Sequence, residues 1–152
     1  PFIVALMTDL LDPREEDRIL EVGCGCGYQA AVLSLLAREV YSTEIIPQLA
    51  TTAGERLKKL GYDNVTVGSM DGYYGWQEKA PFDGIIVTAA AESVPPPLLL
   101  QLKAGGRLIL PVGPPMGFQK LVTVTKGEGN TCHTNEILGV AFVPLTGGHQ
   151  EE

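Results

Sequence analysis

Ile19, Leu20 and Val22 form a short apolar run, and glycines follow it at alternate positions, Gly23, Gly25 and Gly27. Ala30, Ala31, Val32, Leu33, Leu35 and Leu36 then fall on one side of a helix. This predicts a buried strand over 18–22, a glycine turn, and a helix over 28–37. Upstream, Phe2, Ile3, Leu6, Met7, Leu10 and Leu11 have helical spacing over 1–11. Asp12-Pro13 ends that helix, because proline disfavours α conformation in the residue before it.

The alternation of elements continues downstream. A second strand is expected over 40–44. A helix follows with Pro47 near its first turn, Leu49, Ala53, Leu57 and Leu60 on its buried face, and Gly61 just past its end. A third strand over 64–68 leads into the loop 69–76. The apolar run 82–88 reads as a strand buried on both faces. A loop over 89–94, a short helix over 95–102, a turn at 103–106 and a strand over 107–112 come next. Two last strands, over 121–125 and 137–143, are joined without a helix and so should be antiparallel. Strands alternating with helices at this spacing predict an α/β fold, a doubly wound Rossmann-like sheet that is mostly parallel with an antiparallel C-terminal strand. One domain is expected to cover 1–152. In such sheets ligands sit at the C-terminal ends of the strands. Gly23–Gly27, Glu44, Asp71-Gly72 and 88–91 all fall there.

Composition narrows the function. The 152 residues are 45% hydrophobic, enough for a core without staples, and the net charge is −7. An acidic surface of this kind repels nucleic acid and anionic membranes, so neither is expected as a partner. Three cysteines, an odd number, argue against a disulfide framework and for the reducing cytoplasm. No apolar run approaches the length of a membrane span.

The glycine turn decides the ligand class. A dinucleotide fingerprint needs G-x-G-x-x-G, but its third glycine position is Tyr28. There is no G-K-[ST], which excludes a P-loop. The pattern present, G-x-G-x-G, is typical of S-adenosylmethionine (SAM) sites. Glu44 ends the second strand, where a carboxylate can accept from ribose hydroxyls. Asp71 ends the third, where it can accept from the adenine amino group. Each also has a plainer reading: Glu44 as a solvated strand end, Asp71-Gly72 as a simple turn. Cys24 and Cys26 read as small residues in a tight turn and not as metal ligands, so no metal is expected. His133 and His149 read as surface loop and tail residues. Tyr73, Tyr74 and Trp76 read as loop packing.

These stretches resemble the protein-L-isoaspartate (D-aspartate) O-methyltransferase family. The similar segments are Leu20-Glu-Val-Gly-Cys-Gly-Cys-Gly-Tyr-Gln29, Asp71-Gly-Tyr-Tyr-Gly-Trp76, Ala80-Pro-Phe-Asp-Gly-Ile-Ile-Val-Thr-Ala-Ala90, Leu102-Lys-Ala-Gly-Gly-Arg-Leu-Ile-Leu-Pro-Val-Gly113 and Val143-Pro-Leu-Thr146. The resemblance implies methylation of the carboxylate of L-isoaspartyl residues in damaged proteins, with SAM as donor; a monomer is expected, though the sequence carries no signal of oligomeric state. It implies cofactor contacts at Gly23, Gly25, Cys26, Gly27, Glu44, Asp71 and Gly72, and a substrate-side role for Thr146. The family carries Thr or Ser where this chain has Cys24 and Cys26, and thiols are weaker hydrogen-bonding groups. The family's Thr-Ile-Ser segment, whose serine is considered catalytic, would lie before Pro1. The resemblance therefore implies cofactor binding that survives better than turnover in these 152 residues. Another SAM-dependent methyltransferase, or a SAM-binding fragment with little activity, is the alternative.

Overall fold

The computed structural model describes residues 1–150. Among them, helices α1 (Phe2–Leu11), α2 (Tyr28–Ser34), α3 (Pro47–Lys59) and α4 (Pro96–Gln101) alternate with strands β1 (Arg18–Val22), β2 (Glu39–Glu44), β3 (Val65–Ser69), β4 (Phe82–Val87) and β5 (Leu102–Val112). Strands β6 (Gln119–Lys126) and β7 (Cys132–Val140) follow without a helix between them. Short 3-10 turns occupy Gly72–Tyr74, Gln77–Lys79 and Gly148–Gln150.

The strands form one sheet in the order β3-β2-β1-β4-β5-β6-β7. β1 to β5 are parallel, and β6 is antiparallel to both its neighbours. The strand that runs against the rest is therefore β6. β4 takes the centre of the order, as its continuous apolar run requires. The chain winds outward from β1 through β2 to β3, then returns to place β4 on the other side of β1. That reversal leaves a crevice above the C-terminal ends of β1 and β4, where the connections diverge.

Side chains alternate between two cores. Leu20, Val22, Ile85, Val87, Leu108 and Leu110 pack on one face, closed by α4 through Leu98. Ile19, Val40, Ile86 and Ile109 pack on the other, against Met7 and Leu11 of α1, Leu33 of α2 and Leu57 of α3.

Several expected bounds move, for identifiable reasons. α2 stops at Ser34, because Leu35 and Leu36 turn out to solvent. α3 buries Ala50, Ala53 and Leu57, whereas Leu49 and Leu60 are exposed. β5 begins at Leu102, since 103–106 continue the strand past a register shift opposite Phe82 and Gly84 instead of turning. Gly105 at φ +83 supplies the irregular backbone there. β7 lies at Cys132–Val140, so His133 is on an exposed edge strand and not in a loop. Residues 141–146 leave the sheet and cross its top, with isolated bridging at Ala90 and Pro144. Among the described residues no helix is long and apolar enough to cross a membrane.

Candidate cofactor site

The site is built on the backbone of the glycine turn. The N–H groups of Gly23 and Cys24 both donate to the Thr43 carbonyl at 2.9 Å, and Gly27 N–H donates to the Cys24 carbonyl at 3.0 Å. Gly23, Gly25 and Gly27 have φ of +96, +55 and +88, a succession that residues with a Cβ rarely adopt. At Gly23 there is a second constraint. A Cβ would come within 2.5 Å of Thr88 Oγ1, which donates to the Gly23 carbonyl at 2.6 Å.

Above the turn lies a cavity of about 390–480 Å³ per lobe, in two adjoining parts that share Pro144 and Leu145. The 480 Å³ lobe is the one at the crevice, walled by Gly23, Gly25, Glu44, Gly72, Thr88 and Thr146. Its size suits a small-molecule ligand. Ile45, Ile46 and Leu49 add an apolar side to it. Leu49 is thus exposed because it faces this cavity and not the core. Gly72 keeps the floor low, since a Cβ there would meet Val22 Cγ1 at 2.4 Å and Thr43 Oγ1 at 2.7 Å.

Glu44 is the charged group walling this lobe and is only 7% exposed. One carboxylate oxygen accepts Gly25 N–H at 2.8 Å and the other accepts Ile46 N–H at 3.1 Å. Glu44 is therefore no solvated strand end. It clamps the glycine turn, and each oxygen keeps lone-pair capacity toward the cavity.

Beneath it lies a second, hidden carboxyl. Glu21 is fully buried, opposite Ser42 in the β1–β2 register, and accepts the Ser42 hydroxyl. Its other oxygen has no partner. Burial, reinforced by the nearby Glu44 charge and opposed by the Ser42 hydrogen bond, pushes its pKa up to about 8, so it is neutral at pH 7. The same burial, with Glu21 and Glu44 nearby, pushes the Cys24 thiol up to about 12. Cys24 is thus an inert packing residue.

The other expected residues are placed differently. Cys26 and Gly27 lie outside the main cavity: both line one groove beside α2, and Cys26 also lines a second. Arg56 of α3 holds the Cys26 carbonyl at 2.7 Å, a contact that sequence spacing does not reveal. Asp71 does not wall the cavity at all. One of its oxygens accepts Tyr73 N–H at 3.0 Å, and the other faces His149 Nδ1 at 3.3 Å. His149 is not a free surface residue: its ring stacks on Tyr73 at 4.1 Å and 5°. Trp76 does pack in its loop, edge-on to Tyr41 at 5.6 Å. Thr88, expected at the ligand end of its strand, does wall the cavity, and Val143, Pro144 and Leu145 join it there, a placement that strand position alone does not single out. The segment 143–145 reaches the cavity because the chain crosses back over the end of β4, bonding to Ala90.

A seven-stranded sheet with β6 reversed, and a glycine-turn cavity at the β1–β4 crevice, define the fold of the SAM-dependent methyltransferases. Within that class, the profile of the protein-L-isoaspartate(D-aspartate) O-methyltransferase (PCMT) family matches residues 1–150, and the chain belongs to this family. It is 63% identical over 149 residues to protein-L-isoaspartate O-methyltransferase 2 of Syntrophobacter fumaroxidans, covering 98% of this chain and 60% of that one. The corresponding enzyme of a Polaromonas species is 58% identical, with 97% and 70% covered. Among solved structures, a protein-L-isoaspartate O-methyltransferase superposes with a TM-score of 0.89 at 32% identity, over 95% of this chain and 47% of that one. A Plasmodium falciparum structure described as a PCMT in complex with S-adenosyl-L-homocysteine superposes at 0.78 and 26% identity, over 96% and 74%. The chain thus spans about three-fifths of the length of the Syntrophobacter relative.

Proposed function

We propose that this protein binds SAM at the β1–β4 crevice and transfers its methyl group to the carboxylate of L-isoaspartyl residues in damaged proteins. The observation that carries the reading is the 480 Å³ cavity in which the glycine turn and Glu44 meet. SAM supplies an electrophilic methyl on a sulfonium, which leaves as S-adenosylhomocysteine when a carboxylate oxygen attacks the carbon in line.

The chain's own residues then bind, orient and exclude water. Glu44 accepts from the ribose hydroxyls while holding Gly25. Ile45, Ile46 and Leu49 offer the apolar side that an adenine ring needs. Gly23, Gly25 and Gly27 let the methionine portion approach the backbone. Cys26 contributes through its backbone, which Arg56 fixes. Gly72 leaves room beneath the cofactor, and Asp71, set back from the cavity, would accept from the adenine amino group only once His149 releases its oxygen. Thr146 and Val143 stand at the rim, on the substrate side. No general base is needed, because an isoaspartyl carboxyl, with a pKa near about 4, is already ionised at pH 7. Positioning is the main lever, and oriented reactants gain about 7–11 kcal/mol from it. The ester product closes to a succinimide that reopens partly to ordinary aspartate. We further propose that the protein acts as a cytoplasmic monomer. Its three cysteines are unpaired, which suits a reducing compartment.

Calorimetry with S-adenosylhomocysteine and with NAD, followed by methyl transfer from labelled SAM to an isoaspartyl peptide and its aspartyl isomer, tests the proposal. Binding of the first ligand alone and transfer to the first peptide alone are expected. NAD binding, or equal labelling of both peptides, would overturn it.

A further inference from the structure

Two large apolar side chains stand almost entirely in solvent beside this cavity. Met116 is 97% exposed and Phe118 is 90% exposed, both in the loop between β5 and β6. The loop lies at the C-terminal end of β5, on the same edge of the sheet as the cavity. It is not a loose excursion. Gln119, 2% exposed, donates through Nε2 to the carbonyls of Pro114 at 3.1 Å and Gly117 at 3.0 Å. Its Oε1 accepts Phe142 N–H at 2.8 Å. One buried amide thus ties the apolar loop to the segment that carries Val143. Val143 is itself 71% exposed, and it also walls the cofactor cavity. On the other side, Pro115 and Pro144 wall the adjoining lobe. The loop that carries Met116 and Phe118 therefore borders the site through Pro115 and is held to the Val143 segment by a hydrogen-bond bridge.

We propose that Met116, Phe118 and Val143 form an apolar rim that grips the polypeptide substrate through an apolar side chain flanking the isoaspartyl residue. This rests on the function proposed above. The occupant is a substrate chain and not a second copy of this protein, because the rim borders the cavity whose substrate must enter past it. Charge favours the same choice. An isoaspartyl peptide carries a carboxylate, and a protein of net charge −7 offers it no long-range attraction, so apolar contact must hold it. A flexible or unfolded substrate segment presents such side chains, whereas a folded surface mostly hides them.

The test uses two fluorescent isoaspartyl peptides, one flanked by leucines and one by serines, with S-adenosylhomocysteine present, and reads binding by anisotropy. Wild type should bind the leucine peptide about ten-fold more tightly, as burial of one apolar side chain implies. In the double variant Met116→Ser, Phe118→Ser that preference should vanish, with S-adenosylhomocysteine affinity and the serine-peptide affinity unchanged. Gln119→Ala should weaken the preference in the same direction by loosening the loop. Equal binding of both peptides by wild type, or a preference that survives the double variant, overturns the rim. A wild-type dimer that becomes monomeric in the double variant, as read by sedimentation, also overturns it, since the patch then covers a second copy. A wild-type leucine preference that the double variant abolishes, in a protein that transfers no methyl group, would sink the methyltransferase reading and leave the rim standing.

Discussion

At the scale of single residues, the two carboxyls near the glycine turn have opposite roles. Glu44 touches the cavity and holds Gly25. Replacing it with alanine should weaken S-adenosylhomocysteine by about 1.5–3 kcal/mol, the range for hydrogen bonds to a charged group. Calorimetry reads this directly, and an unchanged affinity would mean that Glu44 serves the turn alone. Glu21 acts on stability. Below its ordinary value of 4.5 the carboxyl is protonated in both folded and unfolded chains. Between 4.5 and about 8 the unfolded chain releases the proton while the folded chain keeps it. The unfolded state then binds fewer protons, so stability falls as pH rises through this window and levels off above it. Glu21→Gln mimics the neutral carboxyl and removes that loss. The melting temperature of the variant relative to wild type should climb between about pH 5 and pH 8, by on the order of 10 °C. A constant difference across that range would show that Glu21 is ionised in the fold. The acid that ends β2 was legible from its position at the end of a strand. Glu21 was not, because a carboxylate at the fourth position of a strand gives no sign of being sealed under a turn.

Elements were read best where periodicity and punctuation agreed. Arg18–Val22 has the bounds its apolar run implies, and Pro47 and Gly61 bracket α3 as capping chemistry requires. The miss at β7 has a physical cause. Ile137 to Val143 is apolar enough for a strand, but β7 is an edge strand whose side chains are largely exposed, so hydrophobicity does not mark its start. The apolar residues after Val140 serve instead the crossing segment, where Phe142 packs against the α1 side and Leu145 against the other. The final 3-10 turn was read only as a tail, yet it reaches Asp71. His149 stacks on Tyr73 and occupies the oxygen that we propose for the adenine amino group. Removing that competitor should help the cofactor. His149→Ala should tighten S-adenosylhomocysteine about two- to five-fold, the gain from freeing one acceptor, and should speed amide exchange over 147–150 by about ten-fold. Weaker binding in the variant would mean that the tail closes over the cofactor rather than competing with it.

For the whole molecule, the sheet order sets where chemistry can occur, and net charge sets what can approach. The reversal of winding at β1 brings the ends of β1, β2 and β4 together, so Gly25, Glu44 and Thr88, far apart in sequence, wall one cavity. The apolar rim beside that cavity carries no charge, while the molecule as a whole carries −7. Electrostatics should therefore govern which isoaspartyl peptides reach the site, and contact at the rim should govern how long they stay. The approach of a charged peptide over the surface is screened once the Debye length falls to about 10 Å, near 0.1 M salt. A peptide rich in aspartate should accordingly show a KM that falls as salt rises from about 20 to about 200 mM, because the repulsion is screened. A lysine-rich peptide with the same isoaspartyl core should show a KM that rises over the same range. The kcat of both should stay level, since positioning at the buried end of the cavity involves no long-range field. Parallel salt dependence of the two KM values would show that the net charge does not act at the site.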